Sequence, residues 1–270
     1  MIDLTARKVS RFEISEALYK SYIGGKTLGA RLLYDLTPAG VDPLGKDAIV
    51  IINTSPANGT GAPCSSRFNM TFKNVLTGGI ASSNCGGQFG VLMKRAGFDG
   101  IILKGQSEQP CIITILDGRI EISDAGDLWG KDTEEAQQAF PKQYGKLVIG
   151  PAGEHLVRYA AAVSGERVAG RCGAGAVLGA KKIKALVAYG TQRPEIHNRK
   201  KFAKYVKKWV SFLRNHPMTG EALPNYGSAG LVSKANASNA LPTHNFKYGH
   251  FKDAHTVSGE TLADQYLVRN

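Results

Sequence analysis

The sequence contains no apolar run of the ~18 or more residues that a transmembrane helix needs. It also lacks any Cys-x-x-Cys pair. The four cysteines, Cys64, Cys85, Cys111 and Cys172, lie 21, 26 and 61 residues apart, spacings that match no zinc or iron–sulfur ligand run. The opening residues, Met1-Ile2-Asp3-Leu4-Thr5, lack the basic stretch and apolar core of a secretory signal. A reducing, cytoplasmic setting with four free thiols is therefore expected. No histidine stands at a telling distance from a cysteine, serine or carboxylate, so no catalytic dyad or triad is visible. Glu154 and Glu166 are candidate bases by location only.

Glycine, in contrast, is plentiful, with 32 residues among 270. It clusters at 24–29, 59–61, 78–79, 86–90, 97–105 and 165–179, where tight turns or close backbone approach are expected. The net charge of +12 is uneven. Residues 191–270 carry 12 Lys and Arg against 5 Asp and Glu, while residues 1–190 carry 22 against 17. Such a basic tail suits an acidic partner, a nucleic acid or a plain solvated face.

The pattern along the chain alternates short strands and helices. Residues 2–4 and 9–14 alternate like a hairpin, and Ser15 caps a helix with Glu16 in its first turn. A helix follows over about 26–36, then a buried strand at Ala48–Ile52, a long polar loop from Asn53 to Ser66, and a strand at Arg67–Phe72. Gly78 to Gly87 reads as a second loop, before a helix at 88–96 and a strand at Ile101–Leu103. Asp117-Gly118 joins two apolar strands as a hairpin turn. A helix near 132–142, a strand at 146–149, a loop at 150–154, a strand at 157–163 and a glycine-rich stretch at 165–179 lead to a last strand at Ala185–Ala188. Gly90–Gly105 and Gly175–Gly190 share one layout at an offset of 85, which suggests two similar halves facing one ligand. From Arg199 the texture becomes helical. Phe202, Tyr205, Val206, Trp209 and Leu213 form one stripe with the lysines mostly off it, the pattern of a helix packed on a core rather than a reader of nucleic acid. Residues 217–259 read as loop-rich, and a final short helix is expected at Glu260–Leu267.

Two phosphate motifs fail on inspection. Gly25-Lys26-Thr27 ends like a P-loop, but position 20 is Lys20 where that motif needs glycine, and a helix precedes it. Gly173-Ala174-Gly175-Ala176-Val177-Leu178-Gly179 places its last glycine one residue late for a dinucleotide fingerprint. Arg67, Asn84, Arg167 and Arg171 stand in or beside small-residue stretches, where free backbone N–H groups and guanidinium forks together suit phosphate. Surface ion pairs are the other reading of these arginines, and residue chemistry leaves both open.

Four segments together carry a family resemblance. They are Ala62-Pro63-Cys64-Ser65-Ser66-Arg67-Phe68-Asn69, Ser83-Asn84-Cys85-Gly86-Gly87-Gln88-Phe89-Gly90, Ile149-Gly150-Pro151-Ala152-Gly153-Glu154, and the run from Arg167 to Gly179. Their order and spacing resemble the aldehyde:ferredoxin oxidoreductase family, and the likeness continues through Leu223-Pro224-Asn225-Tyr226-Gly227 to Tyr266-Leu267-Val268-Arg269-Asn270. The resemblance implies an α+β fold, a two-part pseudo-symmetric β saddle with flanking helices, followed by the start of an all-helical domain. It implies a pterin-binding domain over residues 1–195 and the beginning of the helical domain over 196–270. It implies tungsten or molybdenum held by the dithiolenes of two pterins, with Arg67, Asn84 and Gly86 contacting one pterin and Arg167, Val168, Gly170 and Arg171 the other. A magnesium ion bridging the pterin phosphates would take the carbonyl oxygens of Asn84 and Val168. Val168 departs from the alanine of some relatives, but only its carbonyl is used. The family oxidises aldehydes to carboxylates and passes electrons through a [4Fe–4S] cluster to ferredoxin. The cluster ligands and the catalytic side chains are expected beyond residue 270. The chain alone is then expected not to turn over substrate and to bind pterin poorly. The resemblance leaves room for a homodimer, for a non-catalytic cofactor-binding subunit of a split enzyme, and for another substrate such as an aromatic thioester. Neither nucleic acid nor a membrane span is expected.

Overall fold

The structure, a computed structural model, describes residues 1–266. The chain divides into two units, Met1–Ile196 and His197–Asn270. The first unit is built from two six-stranded sheets. In the first half of the unit, β1 (Ile2–Asp3) and β2 (Lys8–Val9) lead to α1 (Glu16–Tyr22) and α2 (Gly25–Leu36). Then come β3 (Val50–Asn53), β4 (Phe68–Lys73), β5 (Ile80–Cys85), α3 (Phe89–Arg95) and β6 (Gly100–Lys104). The second half repeats the series with β7 (Cys111–Leu116), β8 (Arg119–Asp124), α4 (Thr133–Gln138), β9 (Gly145–Val148), α5 (Pro151–Glu154), β10 (Ala162–Ser164), β11 (Arg167–Ala169), α6 (Ala174–Ala180) and β12 (Ile183–Tyr189).

The two sheets share one topology. The first runs β2-β1-β6-β3-β4-β5 and the second, read in the matching direction, β8-β7-β12-β9-β10-β11. The β1–β6 and β7–β12 pairs are parallel. The other neighbours in both sheets are antiparallel. The faint repeat at an offset of 85 is therefore a duplication of a whole six-stranded unit.

Alternation along the strands builds the layers, because successive side chains point to opposite faces. Val50 and Ile52 enter a core shared with Ile113, Ile115, Leu147, Leu186 and Ala188 of the second sheet. Ile49 and Ile51 face the other way, onto Leu28, Leu32 and Leu33 of α2. In the second sheet Ile112, Val148, Ala185 and Val187 face outward onto Ala136 of α4. Local signals hold as expected. Ser15 Oγ accepts from Leu18 N at 3.2 Å. Asp132 and Glu135 form a capping box on α4. Asp117 and Gly118 both have positive φ, the geometry of a type I′ hairpin turn.

Three local readings need correction. Residues 78–87 and 165–179 contain the strands β5 and β11, and 150–154 is a short helix. β5 and β11 are the edge strands of their sheets, so one side of each lacks a strand partner and their small, polar residues give little strand signal.

The last helix of the first half packs on the second sheet, and the end of the last helix of the second half touches the first half. A Cβ on Gly145 of β9 would lie 2.5 Å from Phe89 Cα, and one on Gly190, just after β12, 2.1 Å from Ala96 N. In return, the end of α6 meets the chain just after β6. Gln106 Nε2 donates to Ala180 O at 2.6 Å, Ser107 N to Lys181 O at 3.3 Å, and the buried Lys181 Nζ to Gly105 O at 2.8 Å. Lys184 and Glu154 form an ion pair with side chains 0% and 3% exposed. Glu154 also accepts from Gly130 N at 2.9 Å and Lys184 donates to Lys131 O at 2.6 Å, so the pair fastens the approach to α4. Glu154 is thus a structural partner, not a base.

The second unit opens with α7 (Arg199–Asn215), capped by Asn198, whose side chain accepts from Lys201 N at 2.9 Å. Short helical turns follow over Pro217–Ala222, Leu223–Tyr226, Gly227–Leu231 and Val232–Ala237, where a loop-rich reading was expected. The last helix covers Gly259–Gln265, and Leu267 of the expected helix lies outside the described residues. No residue of α7 is buried, so its apolar stripe does not pack on a core as its periodicity predicts.

Burial pushes the Lys181 ammonium down to about 8 from 10.5, with Asp47 partly opposing the shift. The folded pKa lies below the unfolded one, so the unfolded chain binds more protons between them and stability rises with pH across that window. Between about pH 7.5 and pH 10, this site should add roughly 2 kcal/mol relative to Lys181→Met, measured by urea unfolding of both proteins. Lys184→Met should lower stability by about 3–5 kcal/mol because it leaves Glu154 buried and unpaired. Lys184→Met with Glu154→Leu should recover much of that loss in the same assay.

Candidate cofactor-binding site on the two edge strands

The last residues of β5 and β11, Cys85 and Ala169, occupy the same place in the two sheets, each pairing with the first residue of the preceding strand. This sets an offset of 84 (169 − 85), which relates Asn84 to Val168 and Gly86 to Gly170. Two glycine-containing turns, Gly86-Gly87 and Gly170-Arg171, therefore leave equivalent strand ends and lead into α3 and α6.

The two strand ends meet along one seam. A Cβ on Gly86 would lie 3.5 Å from Arg167 Cγ, an ordinary contact, so the stem of Arg167 covers the Gly86 turn. Gly87 has φ +87°, and its Cβ would lie 3.0 Å from Ser164 O. Arg171 N donates to Ser83 Oγ at 3.2 Å, tying the second turn to the first strand. Arg67, one residue before β4, donates from Nη1 to Asn84 Oδ1 at 3.2 Å. Its carbonyl accepts from Nδ2 of the buried Asn58 at 3.0 Å.

Arg67, Asn84, Gly86, Arg167, Val168, Gly170 and Arg171 are thus drawn into one surface strip. All are exposed except the half-buried Gly86. Cys85 lies beneath them, 1% exposed. Burial pushes its thiol up to about 11, while Arg67 and Arg167 both pull it down. The field of both guanidiniums therefore reaches the same sulfur. Glu166 is exposed in the turn between β10 and β11, with no geometry that marks it as a base.

A groove of about 180 Å³ opens beside Arg67 and Asn84, lined also by Gly25, Ser55, Cys64, Ser65 and Asn69. The sequence reading assigned no role to Gly25, Ser55, Ser65 or Asn69. A local signal for Cys64 is its φ of +60°, a conformation a non-glycine residue adopts only where its surroundings enforce it. α2 begins at this groove with no side-chain cap and no acidic residue in its first turn, which leaves its positive end uncompensated. The false P-loop ending at Thr27 therefore opens on the site without being a P-loop.

The strip fits a large anionic ligand with two similar ends. Arginines supply forked donors, and glycine turns and free strand edges supply main-chain N–H and C=O groups. Among the described residues no three His, Cys, Asp or Glu side chains gather to hold a metal ion. The four cysteines are all free thiols.

A duplicated six-stranded sheet with paired glycine-containing turns at its edges defines the class of protein. A search of solved structures finds the same fold in the active site complex BamBC of benzoyl coenzyme A reductase in complex with 1,5-dienoyl-CoA. The TM-score is 0.80 at 24% identity, over 99% of this chain and 44% of that one. The family model for the aldehyde ferredoxin oxidoreductase N-terminal domain matches residues 1–190, and that for domains 2 and 3 matches residues 204–270. The tungsten-containing aldehyde ferredoxin oxidoreductase of Thermococcus kodakarensis is 42% identical over all of this chain and 46% of its own length. Its counterpart from Pyrococcus furiosus is 40% identical over the same shares. The aliphatic sulfonate oxidoreductase WOR-like subunit of Pyrococcus furiosus is 32% identical over 74% of this chain and 35% of its own length. The chain belongs to the aldehyde ferredoxin oxidoreductase family. It spans about half the length of the aldehyde ferredoxin oxidoreductases it matches.

The seam makes the thiols unequal. At about pH 8 an alkylating reagent should label the exposed Cys64 quickly, while the buried Cys85 and Cys111, whose thiols burial also raises, should react only on unfolding. Timed quenching with mass spectrometry reads the order, and rapid labelling of Cys85 in the folded chain would contradict a closed seam.

Proposed function

We propose that this chain supplies the cofactor-holding part of a tungsten- or molybdenum-pterin oxidoreductase that converts an aldehyde to a carboxylate. The observation that carries this reading is the equivalence of the two strand ends, which offers two matched anion sites to a ligand with two phosphate-bearing pterins. Arg67, Asn84 and Gly86 hold one pterin, and Arg167, Val168, Gly170 and Arg171 hold the other. The guanidiniums of Arg67, Arg167 and Arg171 pair with phosphate, while the glycines let ligand and backbone approach closely. The main-chain carbonyls of Asn84 and Val168 are hard oxygen donors suited to a magnesium ion between the phosphates. They stand at equivalent positions, so their roles match although their side chains differ.

The bound tungsten–pterin group supplies the two-electron redox chemistry. This chain orients it and neutralises its phosphate charge. Electrons leave through a [4Fe–4S] cluster, held by the remainder of the enzyme, to ferredoxin or a similar iron–sulfur acceptor. The four free thiols fit a reducing, cytoplasmic setting. The likeness to a protein named as a WOR-like subunit favours a second reading, in which this chain is the cofactor-binding subunit of an enzyme completed by another polypeptide.

Tungsten content tests the proposal. In the polypeptide that carries this chain, produced without oxygen in tungstate medium, Arg67→Ala and Arg167→Ala should each lower tungsten per protein at least about tenfold, the loss of one charge-assisted contact. Gly86→Ala, whose Cβ has room, should retain the native unfolding midpoint. Full tungsten loading in both arginine variants would refute the assignment.

A further inference from the structure

The chain between β3 and β4, residues 54–66, is built of turns and irregular backbone. It carries Ser55, Cys64 and Ser65 of the groove and leads directly into Arg67. Its start is fixed, because Thr54 N and Oγ1 both donate to Asp99 O, at 3.0 and 2.9 Å. Further bonds close local turns: Asn58 N donates to Ser55 O, Thr60 N and Oγ1 to Ala57 O, and Ser65 Oγ to Ala62 O. Among the described residues, one hydrogen bond joins residues 55–66 to anything outside them. In it Asn58 Nδ2 donates to Arg67 O at 3.0 Å.

Asn58 is a poor choice for stability alone. It is 0% exposed, and its Oδ1 has no hydrogen-bond partner. A buried acceptor left unpaired costs at least as much as a typical hydrogen bond returns. The side chain is also closely held. A Cβ on Gly90, the second residue of α3, would lie 3.5 Å from Asn58 Nδ2 and 2.8 Å from Phe68 Cβ. The carboxamide therefore sits between α3 and the start of β4, where it can fix the Arg67 peptide. The second half offers a comparison. Phe68 begins β4 opposite Cys85, and Ala162 begins β10 opposite Ala169, so Arg67 corresponds to Ala161. The connection from β9 to β10 contains the short helix α5 and no asparagine. Where the duplicate lacks the arginine, it also lacks the buried carboxamide.

We propose, on the reading that Arg67 holds a pterin, that Asn58 is a positioning residue for the cofactor strip. Its Nδ2 fixes the main chain at Arg67, and through it the approach of Arg67 Nη1 to Asn84 Oδ1 at 3.2 Å and the wall of the groove. Forked guanidinium donors depend on placement, so a shift of the Arg67 peptide weakens the grip on phosphate. The unpaired Oδ1 is a loss of stability retained for that placement. Asn58 itself touches no ligand.

The test uses the polypeptide that carries this chain, produced without oxygen in tungstate medium, with tungsten counted per folded protein by mass spectrometry. Asn58→Leu keeps the branched outline of the carboxamide and removes the donor and the orphan acceptor together. We expect its unfolding midpoint to stay near native while tungsten falls about three- to tenfold, the worth of one hydrogen bond. Asn58→Ala removes the same donor without added bulk and should show the same fall, so a leucine too large for the site does not decide the outcome. The two arginine backgrounds separate positioning from general support. Added to Arg67→Ala, Asn58→Leu should cause no further loss, because the group it positions is already gone. Added to Arg167→Ala, it should multiply the loss, as independent sites do. Further losses of equal size on both backgrounds overturn the inference. Native tungsten content in both Asn58 variants beside a depleted Arg67→Ala overturns it as well. Native content in Arg67→Ala overturns the cofactor reading itself, and the inference with it.

Discussion

The first unit depends on the close approach of α3 to the second sheet and on the bonds between the end of α6 and the chain after β6. α3 leaves the first sheet and lies against Gly145 and Gly190 of the second, where a single methyl group would collide with the main chain. The end of α6 makes the reciprocal contact with Gly105, Gln106 and Ser107. The second sheet is covered by a helix supplied by the first half, whereas α6 packs mainly on its own half and reaches the first through its C-terminal end. The two edge strands meet where Arg167 covers Gly86, Gly87 approaches Ser164 and Arg171 N bonds to Ser83 Oγ. The candidate cofactor strip is therefore a product of the duplication rather than an addition to it.

This arrangement explains what sequence alone revealed. Ala48–Ile52, the Asp117-Gly118 turn and the Ser15 cap were legible because each is decided by neighbours in the chain. The offset of 85 residues was visible because helix and strand recur in the same order, although it understated the duplication. β5 and β11 were read as loops because Ile80–Cys85 and Arg167–Ala169 are edge strands, short of the apolar alternation that marks a strand covered on one face. Those are the strands that carry Asn84 and Val168. The elements hardest to read were thus the ones bearing the candidate site, and for one reason: an edge that presents backbone to a ligand needs no apolar signature.

Arg67, Arg167 and Arg171 were legible as a group because charge beside glycine is a local pattern. Their convergence was not, since it depends on Gly86 beneath Arg167 and on Ser83 beside Arg171. Glu154 was misread for the converse reason. Its place in a glycine-rich turn suggested chemistry, but Lys184, thirty residues away, takes its charge. The α7 stripe was read correctly as amphipathic and wrongly as covered, because periodicity states which face is apolar and not whether anything in the same chain meets it.

The contrast between the two units has a consequence for biosynthesis. Residues 1–196 contain a finished interior, whereas the following seventy described residues bury only three. A ribosome releasing this polypeptide from its N-terminus would deliver a domain able to fold while the helical segment was still emerging. That segment buries little apolar surface of its own, so its aromatic side chains would stay wet. Maturation would be a vectorial process in two stages, with the second unit the one that calls for chaperone protection.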